Sequence, residues 1–296
     1  MKVLNFGSLN IDYVYRVAHI LRPGETISSS DLKVFPGGKG LNQSIAFARA
    51  GARIYHAGLT GSDGVFLKEY CEENGVHIDF IAQCKERTGN AIIQVSEQGE
   101  NCIILFAGAN RMITKEYAQS VFAHFEKGDM LVLQNEVNML PYLIEQGKEK
   151  GMLIALNVSP YDDALAACDL SKVDIFLMNE VEGEQITGES EYERIASSMK
   201  QKYPNAQLVL TLGAQGSLYC NQKETYYQES CKVPVVDTTA AGDTFTGYFL
   251  TAFLEGRPKD EALKIATCAS ALAVSKQGAS VSIPMKEDVE AYIKMI

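Results

Sequence analysis

Apolar residues in this chain gather in short runs divided by polar or glycine-rich turns. "KVLNFGS", "RIYHAGLTG", "DMLVLQ", "MLIALNVS", "VDIFLMN" and "AQLVLTLG" each place a few apolar positions together and then turn polar or small. Runs of that length predict strands, and near-continuous hydrophobicity predicts strands buried on both faces. Between them the period lengthens, as in "NQSIAFARAG", which reads as a helix ending on Gly51. The alternation predicts a doubly wound α/β fold, with a mostly parallel central sheet flanked by helices.

Two regions break the rhythm. "AIIQVSEQGENCIILF" is a pair of strand-like runs around a polar turn and predicts a hairpin. "DYVYRVAHI" and "DLKVF" add strand-like pieces near the N-terminus. These stretches, at about 10–18, 31–36 and 91–106, are expected either to form an inserted antiparallel flap or to extend the main sheet at an edge. Beyond Gly242 the pattern turns strongly helical. No Gly/Ser linker, low-complexity tract or repeat divides the chain, so 1–296 reads as one domain with a small β-sheet lid.

Composition narrows the function classes. A chain of 296 residues that is 46% hydrophobic and 22% charged can bury a large core as a soluble protein. A formal net charge of -10 argues against nucleic acid or anionic membrane as a partner, but backbone N–H groups can still hold an anionic ligand locally. Seven scattered cysteines without a CxxC pair suit reduced thiols, and four dispersed histidines argue against a zinc centre or a His-centred triad. The N-terminus turns polar too early for a signal peptide, and no apolar run approaches a membrane span, so the cytoplasm is the expected location.

Two stretches carry candidate chemistry. "PGGKGLNQ" fits neither a Walker A loop nor a dinucleotide fingerprint. It is either a tight turn with a solvated lysine, or backbone that approaches a ligand, with Lys39 and Asn42 beside it. In "VVDTTAAGDTF", small residues precede a helix start, where converging N–H groups and the helix dipole favour an anion. Asp243 is then either an ordinary first-turn acid or a base set at the tip of a phosphate cradle.

Taken together, "GGKGLNQSIAFARAGA" and "DTTAAGDTFTGYF" resemble the two signatures of the ribokinase-like (PfkB family) carbohydrate kinases, in the same order and with similar flanks. The likeness continues through "GSLNID", "PGET", "FAGAN", "LQNE", "MNEVE", "TLGAQG" and "KQGASVSIP", which is nearly the whole chain. It is closest to the ribose-phosphorylating members. The resemblance implies transfer of the γ-phosphoryl group of ATP to a primary hydroxyl, with D-ribose as acceptor and ribose 5-phosphate as product. Fructose, deoxyribose or a nucleoside are alternative acceptors, and a catalytically silent sugar or nucleotide sensor is the alternative outside enzymology.

The resemblance also implies roles. Asn10, Asp12, Gly38, Lys39, Asn42 and Glu136 would bind the sugar, and Asp243 would be both sugar contact and base. Ala240, Ala241 and Gly242 would form the anion hole. Asn179, Glu182, Thr211, Gly213, Gly216, Gly242 and Thr267 would serve the nucleotide, with Glu182 ordering Mg²⁺ through water. Asp237, Thr239, Ala273, Lys276, Gly278 and Ser282 would ligate an activating K⁺; otherwise Asp237 only caps its own turn. A homodimer through the lid is implied as well. Two positions depart from the pattern: Leu41 stands where alanine is common and adds bulk near the expected sugar pocket, and Thr246 replaces a frequent asparagine.

Overall fold

The computed structural model describes residues 1–296. Its strands are β1 (Val3–Phe6), β2 (Asn10–Val17), β3 (Asp31–Gly37), β4 (Ile54–Thr60), β5 (His77–Gln83), β6 (Gly89–Ser96), β7 (Asn101–Phe106), β8 (Met130–Gln134), β9 (Leu153–Asn157), β10 (Ile175–Asn179), β11 (Gln207–Thr211), β12 (Gly216–Cys220) and β13 (Thr225–Glu229). The helices are α1 (Lys39–Arg49), α2 (Val65–Glu73), α3 (Lys115–Phe122), α4 (Leu140–Glu149), α5 (Asp163–Ala166), α6 (Glu180–Thr187), α7 (Tyr192–Lys202), α8 (Ala241–Leu254), α9 (Lys259–Val274) and α10 (Lys286–Met295).

Nine strands form the main sheet in the order β13-β12-β11-β10-β9-β8-β1-β4-β5. The seven from β11 to β5 are parallel, and β12 and β13 close one edge as an antiparallel pair. Successive residues of the buried strands serve opposite cores. Leu4, Leu131, Leu156 and Phe176 pack with α3, α4 and α7, whereas Val3, Met130, Ala155 and Ile175 pack with α1, α8 and α9. That two-sided burial is the physical reason the runs read as continuously apolar. The chain steps from β1 to β4 and β5 on one side and to β8, β9 and β10 on the other. The order therefore reverses between β1 and β8, and a crevice opens at such a reversal beyond the strands' carboxyl ends.

The flap is a separate four-stranded sheet, β3-β2-β6-β7, and does not extend the main one. It is not wholly antiparallel as expected: β2 and β6 run parallel, flanked by antiparallel β3 and β7. β2 leaves directly from the loop after β1, and β3 leads directly into α1, so the small sheet is rooted at the crevice. No helix is long and apolar enough to cross a membrane.

The two glycine-bearing stretches meet in space. α1 follows Gly38, whose φ of +96° suits glycine, and α1 packs against α8 so closely that a Cβ at Gly247 would fall on Ala46. Leu41 is fully buried in the core on this side of the sheet, which is where its extra bulk goes.

Candidate active site

At the reversal point the loop after β1 faces the loop after β8. Glu136 accepts hydrogen bonds from the Ser8 hydroxyl and from the Lys39 N–H, the latter at 3.1 Å. Ser8 Oγ accepts the Gly40 N–H at 3.1 Å, tying the start of α1 to the same loop. Asn10 and Asp12 alternate on β2 and so share one face of the small sheet. Asn10 is oriented by Asn110, which donates Nδ2 to its Oδ1 at 2.7 Å and accepts the Leu9 N–H at 3.0 Å. Gly37 makes room for Asp12, because a Cβ there would land on the carboxylate.

The charges here are crowded. Burial, and then the neighbouring Glu136, push the Asp12 carboxyl up to about 7. Burial also raises Glu136, and Asp243 adds to this, although Lys39 and Ser8 pull the other way. For Lys39, burial opposes the charge, yet Asp243, Glu136 and Glu182 together hold its ammonium above the ordinary lysine value. One partly buried cation thus lies in the field of three carboxylates carried by different elements.

The Asp12 shift makes a testable statement about stability. Its folded value of about 7 exceeds the ordinary 3.8, so between these limits the folded chain holds a proton that the unfolded chain has lost. Stability therefore falls as pH rises through that window. Asp12→Asn is expected to raise the thermal midpoint by several degrees at pH 8 and to leave it unchanged near pH 4. Equal shifts at both values, read by scanning calorimetry, would refute the assignment.

Asp243 lies in the first turn of α8, buried, with Oδ2 accepting from Asn42 Nδ2 at 3.1 Å and Oδ1 from Gln43 Nε2 at 3.0 Å. Ala240 is left-handed at the helix cap, with φ of 59° and no side-chain cap. The Ala241 N–H turns to the Thr238 carbonyl at 3.2 Å, and the Ala240, Gly242 and Asp243 amides have no protein acceptor. A Cβ at Gly242 would meet nothing within 4 Å. Neither packing nor φ requires glycine there, so the open space belongs to whatever approaches those amides.

A cavity of about 210 Å³ brings together Lys39, Asn179, Glu182, Thr211, Ala240, Ala241, Gly242 and Asp243, while Asn10, Asp12, Gly38, Asn42 and Glu136 are not on its wall. Asn179 and Glu182 form a reciprocal cap on α6: Glu182 N–H donates to Asn179 Oδ1 at 3.0 Å, and Asn179 N–H donates to Glu182 Oε2 at 2.9 Å. Glu182 Oε1 has no protein donor. Asn157, Ser159, Thr238 and Thr246 also line the cavity; Thr238 belongs to the small-residue run and Thr246 is one of the two departures from the family pattern, whereas Asn157 and Ser159 were not expected there. Asn157 ends β9, and the gathering of ligands at strand ends is the signal that points to it.

Other expected site residues lie elsewhere. Thr267 is not on the cavity wall; its hydroxyl pairs with Ser217 at 3.0 Å between α9 and β12. Gly213 and Gly216 flank the turn into β12, also off that wall, and a Cβ at Gly216 would collide with the Gln228 carbonyl, so packing alone explains this glycine. Asp237, Thr239 and Gly278 do converge: the Asp237 carboxylate accepts the Thr239 N–H at 2.9 Å, its hydroxyl at 2.6 Å and the Gly278 N–H at 3.0 Å. Burial opposes that charge, but these donors hold the carboxyl below its usual range. Ser282 Oγ donates to the Ala279 carbonyl at 2.8 Å, and the Ala273 carbonyl accepts the Lys276 N–H at 3.1 Å.

A second cavity, of about 220 Å³, lies among α8, α9 and α10. Four of its charged groups pair with one another: Arg257 with Glu255 and Glu261, and Lys286 with Glu255. Lys264 and Lys294 also line it, but no buried carboxylate and no unpaired helix N-terminus joins them, so chemistry rather than size assigns the site to the first cavity.

The arrangement of a buried carboxylate, unpaired helix amides and a shared lysine agrees with a comparison along the chain, in which residues 1–286 match the pfkB family carbohydrate kinases. The chain belongs to that family. This pfkB-family chain is 34% identical over 300 residues to a ribokinase of Haemophilus influenzae, covering 97% of each protein. It superposes on the crystal structure of a ribokinase from Cryptococcus neoformans in complex with ADP with a TM-score of 0.87 at 33% identity, covering 98% of both chains. A ribokinase of Arabidopsis thaliana complexed with ribose and ATP gives a TM-score of 0.87 at 29% identity, covering 99% of this chain and 98% of that one.

Proposed function

We propose that this carbohydrate kinase transfers the γ-phosphoryl group of ATP to a primary hydroxyl of D-ribose, giving ribose 5-phosphate and ADP. The observation that carries the reading is Asp243, held by two amide donors beside unpaired α8 amides and a glycine with open space before it. Relatives named ribokinase, one of them complexed with ribose and ATP, support the choice of sugar and nucleotide.

Asn10, Asp12, Gly38, Lys39, Asn42 and Glu136 bind the sugar hydroxyls, and a mismatched hydroxyl leaves one of these buried groups unpaired. Asp243 accepts the proton as the sugar oxygen bonds to phosphorus and the bond to the ADP oxygen breaks. Amides at Ala240, Ala241 and Gly242 were the expected anion hole; with the Ala241 N–H engaged internally, Ala240, Gly242 and Asp243 supply the donors. Asn179, Glu182 and Thr211 face the nucleotide from the cavity wall, and Gly213, Gly216 and Thr267 serve it from outside that wall. The unpaired Glu182 oxygen suits the water shell of Mg²⁺, a cation that neutralises charge on the phosphates when bound.

The Asp237 turn is offered to a monovalent cation, K⁺, because its carboxylate makes no ion pair with lysine or arginine; Thr239 and Gly278 meet it directly, and Ala273, Lys276 and Ser282 are the further ligands that the family likeness implies. Residues 1–296 act as one unit with the small sheet as lid. Every residue of β7 is exposed, Ile103, Ile104, Leu105 and Phe106 among them, and such an apolar edge strand favours a homodimer through the lid. Light scattering should give twice the chain mass and, for Ile104→Glu, the single mass; a monomeric wild type rejects the dimer.

A coupled ADP-release screen over pentoses, hexoses and nucleosides, with ATP and Mg²⁺ in potassium or sodium buffer, tests the reading. Ribose should be preferred, with faster turnover in potassium. A preference for deoxyribose, fructose or a nucleoside would replace the acceptor. Sugar and ATP binding without ADP formation would make the protein a sensor, and equal rates in both salts would remove the cation.

A further inference from the structure

Behind Asp243 lies a buried chain of side-chain amides that the proposed reaction leaves unused. Gln43 Nε2 donates to Asp243 Oδ1 at 3.0 Å, and Gln43 Oε1 accepts from Gln134 Nε2 at 2.7 Å. The same Gln134 nitrogen donates to Asn5 Oδ1 at 2.9 Å, and Asn5 Nδ2 donates to the Gly40 carbonyl at 2.7 Å and to Ser44 Oγ at 2.9 Å. Ser44 Oγ meets His56 Nδ1 at 2.8 Å. Asn5, Gln43, Ser44, His56 and Gln134 are all fully buried.

The polarity of this chain is forced from one end. An ionised carboxylate only accepts, so Gln43 must turn its NH₂ group to Asp243 and its carbonyl to Gln134. Gln134 must then present nitrogen, and it spends both hydrogens on Gln43 and Asn5. Its own carbonyl oxygen is left buried with no donor. Leaving such an acceptor unpaired costs about 1–3 kcal/mol. The same orientation gives Gln134 its two donated hydrogen bonds, and it secures the direction in which the Gln43 amide points. Were Gln43 to rotate by half a turn, its oxygen would face the carboxylate.

We propose that Gln43 and Gln134 are positioning residues for phosphoryl transfer: Gln134 fixes the facing of the Gln43 amide, and Gln43 holds the Asp243 carboxylate toward the attacking hydroxyl. This rests on Asp243 being the base. Gln43 sits one position past Asn42 on α1, and Gln134 ends β8 at the strand-order reversal. The network therefore connects the base on α8 to β8, β1 and β4 in the centre of the sheet. A misplacement of the base by a fraction of an ångström slows the chemical step without weakening sugar binding.

The test is a double-mutant cycle read by single-turnover phosphoryl transfer to ribose, alongside kcat and the KM values for ribose and ATP. Gln43→Met keeps length and bulk but removes donor and acceptor, and should slow transfer about tenfold to a hundredfold with both KM values within about threefold. Gln134→Met should slow transfer about threefold to tenfold, and the double variant should be no slower than Gln43→Met alone, because Gln134 acts only through Gln43. Additive losses, or losses confined to KM, overturn the proposal. Gln134→Glu is a further arm: its acceptor draws the Gln43 NH₂ away from Asp243, so it should be slower than Gln134→Met, and a reversed order also overturns the proposal. Should Gln43→Met fail to fold, the kcat-against-KM split of the two Gln134 variants decides alone. Asp243→Asn separates the two readings: if it turns over normally the base assignment fails, whereas if it is inactive and the glutamine variants are unaffected only this inference fails.

Discussion

Replacing Asp243 with asparagine is expected to lower kcat by about a thousandfold while changing the KM for ribose by no more than a few-fold. The substitution preserves shape in a site where shape is tightly set, since the carboxylate is buried and fixed at both oxygens by Asn42 and Gln43. What it removes is the proposed acceptor for the hydroxyl proton, and the new NH₂ faces an amide donor of Asn42 or Gln43 unless that amide turns. The proposed sugar contacts Asn10, Asp12 and Glu136 lie on β2 and in the β8 loop, and the hydrogen bonds of Asn10 and Glu136 do not involve residue 243. Binding and chemistry therefore separate in this variant, provided chemistry limits turnover, which a single-turnover experiment establishes. Phosphoryl transfer near the wild-type rate would remove Asp243 from the mechanism, and with it the proposed function.

How far the sequence revealed this depends on whether the information was local. The β6–β7 hairpin was legible because its polar turn separates two adjacent apolar runs. The parallel pairing of β2 with β6 was not, because the partners lie far apart in the chain and either direction satisfies the same side-chain alternation. β5, in "HIDFIAQ", escaped notice as a half-exposed edge strand with mixed polarity, and β12 escaped because "TLGAQG" drew attention to its glycines rather than to the strand beginning at Gly216. Asp243, Lys39 and Glu182 came from recognisable motifs, and the structure sets them around one cavity.

The residues that were missed share a physical trait. Asn5 lies inside and Gln134 at the end of strands otherwise apolar on both faces, in "VLNF" and "MLVLQ". A polar side chain there must find a buried partner, so its presence predicts a network even when the partner is unknown. The sequence contains that signal without saying where the partners are. Asn110 illustrates the same limit: "FAGAN" stood out, but only the fold shows that its last residue orients Asn10 from a distant turn.

The second large effect concerns glycines that look alike in sequence and differ in space. Gly242 and Gly247 both lie on α8, and neither has a positive φ. A Cβ at Gly247 would overlap Ala46 on α1, so Gly247→Ala must push the two helices apart, at a cost of about 1–3 kcal/mol. Its thermal midpoint should drop, and turnover should drop with it, because Asn42 and Gln43 reach Asp243 across that contact. A Cβ at Gly242 meets no protein atom, so Gly242→Ala should leave the midpoint unchanged or slightly raised. The added methyl nevertheless stands before the unpaired amides at the start of α8, and kcat/KM for ATP should fall about a hundredfold. Calorimetry and initial-rate kinetics on the pair distinguish a glycine kept for packing from one kept for the ligand. Wild-type ATP kinetics in Gly242→Ala would mean that the migrating phosphoryl group does not pass the tip of α8, whatever Asp243 does.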